Sequence, residues 1–174
     1  LTAEGWFHAG ILGTILWGCL GWSGWLAVVI YLFLGSLVTK IGFSYKENLG
    51  IAEARGGRRG PENVWGSAAT GAFIAILIGF DIGSSQLLLI GFSASFSAKL
   101  ADTFGSEIGK RWGRRTFLIT SFSLVPAGTE GAISLEGTLA SFVGCLIMAT
   151  FMMSFSLISS FTFFLITIFS GFIA

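Results

Sequence analysis

The sequence predicts an all-α integral membrane protein, a bundle of about six transmembrane helices forming a single domain over residues 1–174. Three observations predict it. Of 174 residues, 53% are hydrophobic and only 11% charged, against roughly 25% charged in an average soluble domain, and mean hydropathy is +0.83. Every charged residue except Glu4 lies between Lys40 and Glu136. Apolar runs of near-membrane length alternate with polar connections, and all ten Lys and Arg fall in or beside the second and fourth of those connections.

Spans are expected at 3–20, 24–39, 61–80, 86–112, 136–155 and 157–173. The first two are short for a span, which needs about 20 apolar residues. Gly21-Trp22-Ser23-Gly24-Trp25 joins them as a tight helical hairpin at an interface, where indoles prefer to sit. Residues 40–60 are too polar to cross. Gly60-Pro61-Glu62 then reads as a helix start, because proline at the first helical position loses no hydrogen bond and an acidic residue suits the dipole. Ser67, Gly71, Ala75 and Gly79 recur every fourth residue in the third span, as Gly137, Ser141, Cys145 and Ala149 do in the fifth. Such stripes let membrane helices touch backbone to backbone.

Residues 116–125 are apolar with hydroxyls but too short to span, and predict a re-entrant or interfacial segment. Six alternating spans put every cation on one side of the membrane, which the positive-inside rule assigns to the cytoplasm or its equivalent. Cys19 and Cys145 stand alone in apolar runs and read as small packing residues. The missing initiator methionine and the uncharged end at Ala174 suggest a trimmed chain.

The stretch Ser95–Arg115 carries the functional signal. At 100° per residue, Ser95, Lys99, Asp102, Ser106 and Lys110 fall within about 80° of one another, with Ala101, Phe104, Gly105 and Ile108 on the far side. Placing Lys or Asp at bilayer depth costs roughly 2.5–3.5 kcal/mol each on insertion scales, so this face calls for a use. Two further polar blocks, Lys40–Asn63 and Glu130–Thr138, belong to the same side. Their shared stock of cations, carboxylates, hydroxyls and glycines suits phosphoryl groups bound with a divalent ion. Phosphoryl transfer asks a protein mainly for positioning and charge neutralisation, so no protein nucleophile is required.

Other chemistries fail on spacing. Gly105-Ser-Glu-Ile-Gly109-Lys110 has three residues between its glycines and Arg111 where a phosphate loop needs Ser or Thr. His8 is the sole histidine and lies near the terminus, which argues against a Ser-His-Asp triad. Apolar spans surround the basic blocks and no aromatics interleave them, which argues against nucleic acid. Structural alternatives stand beside the functional ones: Arg58, Arg59, Arg114 and Arg115 as headgroup anchors, Lys99 with Asp102 as a buried pair, Glu130 and Glu136 as loop or helix-start charges.

The blocks GIAEARGGRRGPENVWGSAA (50–69), ASFSAKLADTFGSEIGKRWGRRT (94–116) and VPAGTEGAISLEGTLAS (125–141) together resemble the membrane-embedded prenyl-phosphate kinase family that includes phytyl-phosphate kinase of plants and cyanobacteria. The aspartate-then-SEIG helix with its Gly-Thr-Glu-Gly and Leu-Glu-Gly loop is also distantly similar to CTP-dependent polyprenol kinases. The resemblance implies transfer of a terminal phosphoryl group from a nucleoside triphosphate, with CTP the candidate, to an isoprenoid monophosphate such as phytyl phosphate, a step of tocopherol biosynthesis in a cyanobacterial or plastid membrane. It implies catalytic roles for Lys99 and Asp102. Substrate and nucleotide contacts fall to Lys46, Arg55, Arg58, Arg59, Asn63, Ser106, Lys110, Ser134 and Thr138, and Mg²⁺ ligands are drawn from Asp102, Glu107, Glu130 and Glu136. The resemblance implies that a further small-residue helix follows beyond Ala174, where this sequence stops. The alternatives are a carrier for anionic isoprenoid lipids, which would bind without chemistry, and a structural membrane subunit.

Overall fold

The reversal expected near residues 21–25 is made by one residue. A computed structural model describes all residues, Leu1–Ala174, and its first helix, α1 (Ala3–Lys40), is broken only at Gly21, whose φ of 66° and ψ of −162° are non-helical. Glycine adopts such a conformation without the steric penalty a Cβ would bring. The break is a hairpin, not a bend. Arg59 accepts a hydrogen bond on its carbonyl from the Thr2 amide (3.0 Å) and donates from its guanidinium to the Tyr31 hydroxyl (2.8 Å). In an unbroken helix Thr2 and Tyr31 would stand about 43 Å apart. The two limbs, 3–20 and 22–40, therefore lie side by side, and the Trp17 and Trp25 rings meet edge-to-face at 5.6 Å.

After α1 the chain makes a short helix, α2 (Phe43–Asn48), and a 3₁₀ turn at Ala54–Gly57. Helix α3 (Pro61–Gly79) starts at the expected proline, and Asn63 closes its first turn by accepting the Gly60 amide on Oδ1 at 3.0 Å. Helix α4 (Ser85–Trp112) is the axis of the bundle, packed on α1, α3, α5 and α6. Helix α5 (Leu135–Ser154) is capped by the Ser134 hydroxyl, which accepts from the Gly137 amide (3.1 Å). Helix α6 (Phe161–Ile173) is capped likewise by Ser160 (3.2 Å).

Apolar surface gains little by leaving lipid for an apolar interface, so association of such helices depends on close packing. The small-residue stripes supply it. A Cβ at Gly137 would lie 2.8 Å from the Gly105 carbonyl oxygen, a contact closer than side chains tolerate, so α4 and α5 approach backbone to backbone there. Ser141 adds a hydrogen bond to the Ala101 carbonyl (3.0 Å). The core between α1, α3, α4 and α5 holds Leu16, Ala68, Ala75, Phe92, Phe96, Leu100 and Met148, all nearly or fully buried.

Three helices, α1, α4 and α5, are long and apolar enough to cross a membrane. The last expected span is corrected. Helix α6 begins at Phe161 and not at 157. Leu157 and Ile158 are apolar for another reason: both amides bond back to the Met152 carbonyl, and both side chains are buried in the core as a loop. The chain is mostly helical, as expected, with one small β-hairpin added. Residues 116–125, expected to be re-entrant or interfacial, contribute strand β1 (Thr116–Leu118), which pairs antiparallel with β2 (Ala132–Ser134), Thr116 facing Ser134. Thr116 and Ser134 turn inward and Phe117 and Ile133 outward, an alternation three residues long that is too brief to read as a strand in advance.

The bundle has two unlike ends. At one, Trp22 beside the Gly21 turn meets Phe155 at the end of α5 (5.5 Å between rings), and Cys19 packs at Gly79. At the other end lie the β-hairpin, the 41–60 segment with Lys46, Arg55, Arg58 and Arg59, and the end of α4 with Lys110, Arg111, Arg114 and Arg115 just after it. Asp102 sits ten residues inside the C-terminal end of α4, about 15 Å along its axis, so the polar end continues down into the bundle.

Candidate active site

The polar face of α4 lines open space. Lys99 and Asp102 line one cavity of about 400 Å³ together with Arg55, Arg58, Arg59, Asn63 and Ser106. Asp102 and Ser106 also line a second, of about 710 Å³, with Lys110, Glu130, Ser134 and Thr138. A third, of about 550 Å³, reaches Ser95, Lys99 and Asp102 from the side of α6. Asp102 is common to all three. It forms no ion pair, and neither does Lys99 or Arg58, so Lys99 and Asp102 are not the mutually neutralising pair that their spacing allows.

The first cavity is walled by the loop between α2 and α3. Arg55 pairs with Glu62 across the start of α3, both exposed. Arg59 is held more firmly: its guanidinium donates to Tyr31, whose hydroxyl donates to Ser67 (2.8 Å), and it lies 5.2 Å from the Tyr31 ring centroid. Arginine so fixed keeps the rest of its planar donor fork available for an anion. Cations from two separate blocks thus converge on one space, with Asp102 at its rim.

The second cavity is built from glycine and hydroxyl groups. Gly50, Gly105, Gly109, Gly128, Gly131 and Gly137 line it, beside Thr116, Thr129 and Ser141. Glycines leave backbone N–H groups within reach of anionic oxygens. Carboxylates enter it from Asp102 and Glu130.

Three of the expected residues are placed elsewhere. Lys46 is fully buried, donates to the Thr39 carbonyl (2.8 Å) and pairs with Glu107, which is 2% exposed. The second Glu107 oxygen accepts from Lys110 (3.4 Å). Neither Lys46 nor Glu107 lines any of these three cavities; paired with each other, they fasten α2 to α4. Glu136 sits in the first turn of α5 and accepts the Arg114 amide (3.4 Å), a helix-start charge. No three of the chain's His, Cys, Asp and Glu gather closely enough to hold a metal by themselves. Ser134 lines the second cavity, but its oxygen is already used as the α5 cap.

Sequence reasoning missed Tyr31, Ser67, Thr39 and Thr103 in the first cavity. Tyr31 had a signal, since it is one of two tyrosines in the chain and interrupts an apolar run. A buried phenol needs a partner, and here it has two.

Comparison with known proteins agrees with the membrane reading. The family model described as integral membrane protein DUF92 matches residues 1–174. The chain belongs to that family. An uncharacterised membrane protein of Synechocystis is 54% identical over 160 residues, covering 91% of this chain and 62% of the relative. Protein VTE6, chloroplastic, of Arabidopsis thaliana is 46% identical over 153 residues, covering 86% of this chain and 46% of VTE6. An uncharacterised membrane protein of Methanocaldococcus jannaschii is 32% identical over 151 residues, 87% of this chain and 61% of that one. The chain therefore spans between 46% and 62% of the length of these relatives. No solved structure matches it.

Proposed function

We propose that this DUF92 chain is a prenyl-phosphate kinase, transferring the terminal phosphoryl group of a nucleoside triphosphate, CTP in the first instance, to an isoprenoid monophosphate such as phytyl phosphate. The observation that carries the reading is the meeting of two different anion-receiving cavities at Asp102 and Ser106. One offers arginines to a compact phosphate and the other a larger, glycine-lined bed to a triphosphate. A carrier would need only the first. Similarity to a chloroplast protein and a cyanobacterial one supports a photosynthetic membrane, and six limbs of helix with the polar end on the cytoplasmic or stromal side satisfy the positive-inside rule.

In this reading Arg58, Arg59, Asn63 and Lys99 hold the acceptor monophosphate, while the glycine bed with Lys110 and Thr138 holds the nucleotide. An acceptor phosphate oxygen attacks the γ-phosphorus as the bond to the β–γ bridging oxygen breaks, and the nucleoside diphosphate leaves with the electron pair. Lys99 neutralises charge on the transferring oxygens. Asp102 and Glu130 share the second cavity, and one or two carboxylates plus substrate phosphates suffice for Mg²⁺, so these two would hold it. Bound there, the ion would supply neutralisation of the triphosphate.

The test incubates purified protein with γ-labelled CTP, Mg²⁺ and phytyl phosphate and separates the lipids. Label in phytyl diphosphate is expected. Binding of phytyl phosphate with no transfer and no Mg²⁺-dependent thermal shift from any nucleotide would instead make the protein a carrier.

A further inference from the structure

An apolar groove of about 220 Å³ runs between the limbs of α1 and the side of α3, and nothing in the phosphoryl chemistry uses it. It is lined by Ala9, Gly10, Leu12, Val28, Leu32 and Val64, with Trp6 and Trp25 at its edges. Its polar lining comes from Tyr31, Arg59 and Asn63, and the same three residues line the arginine-rich first cavity. An apolar channel and an anion site thus share one mouth. Arg59 stands at that mouth, held by Tyr31 at 2.8 Å.

We propose that this groove seats the proximal part of the apolar tail of a phosphorylated lipid whose head occupies the first cavity. The proposal rests on the acceptor assignment above. Charge complementarity at one end and continuity of the lining at the other select an amphiphile, not a protein segment. Gly10 gives a handle on it: it lines the groove, and a Cβ there would meet no atom within 4 Å, so a larger side chain can be placed at that position without displacing protein atoms. Since a tail gains little by exchanging lipid for an equally apolar groove, the groove acts by shape, fixing which tails bring their phosphate to Arg59.

The test compares geranylgeranyl monophosphate with dimethylallyl monophosphate, binding each to the purified chain by calorimetry without nucleotide. Gly10→Leu fills the groove from one limb and Leu32→Trp from the other. Each is expected to weaken the long ligand about tenfold or more and to leave the short one at its unsubstituted affinity. Unchanged binding of the long ligand in both variants overturns the proposal, and so does an equal loss for both ligands in both variants. Transfer to long lipids persisting undiminished in both variants overturns the groove alone. Absent transfer with intact discrimination by length removes the kinase reading and keeps the groove.

Discussion

Two lysine and carboxylate sets share the polar half of α4, and they have opposite fates. Lys46 reaches Glu107 from α2, and the two are 0% and 2% exposed. Lys99 and Asp102, about one turn apart on α4, make no ion pair and line the junction of the cavities. The first set spends its charge inside the protein, leaving nothing for a ligand. The second keeps its charge toward open space. The contrast teaches that the number of polar residues on a helix does not tell which of them face a cavity with their charge unpaired.

Breaking the closed set should have the largest effect on the fold. Glu107→Leu leaves Lys46 buried against the Thr39 carbonyl alone, and removing one partner of a buried pair costs about 3–5 kcal/mol. Denaturant unfolding in detergent, followed by circular dichroism, should show that loss, and Lys46→Met added to Glu107→Leu should recover most of it. An undisturbed midpoint in the single variant would erase the distinction between the sets.

Breaking the open set should act on rate and spare the fold. Asp102→Asn is expected to lower turnover by ~10²–10³, read with labelled nucleotide under saturating substrates, with an unchanged unfolding midpoint. Tyr31→Phe removes the hydroxyl between Arg59 and Ser67. It should cost about 1 kcal/mol of stability and raise the KM for the lipid phosphate more than it lowers kcat. The smallest effect is expected at the rim, where the Arg55–Glu62 pair is 50% and 57% exposed. Glu62→Ala should change stability by less than about 1 kcal/mol, and any change should shrink as salt is raised.

Much of this was legible beforehand because two codes were strong. Four-residue spacing of small side chains at Ser67 to Gly79 and Gly137 to Ala149 marked the helix contacts, and the helical period alone put Lys99, Asp102, Ser106 and Lys110 on one face, the face that lines the cavities. What stayed hidden depended on partners far away in sequence. Nothing local to Lys46 tells that Glu107, 61 residues on, will claim it. Nothing local to Leu157 tells that it will fold back on Met152 without becoming helix. The β-hairpin was hidden for a third reason, since its two strands are three residues each and separated by 13 residues of loop.

The most direct measurement is transfer of a labelled γ-phosphate to a prenyl monophosphate by three proteins side by side: the unsubstituted chain, Asp102→Asn, and the double variant Lys46→Met with Glu107→Leu. The account predicts transfer by the first and third and little by the second. Full transfer by Asp102→Asn, or loss confined to a stably folded double variant, would contradict it.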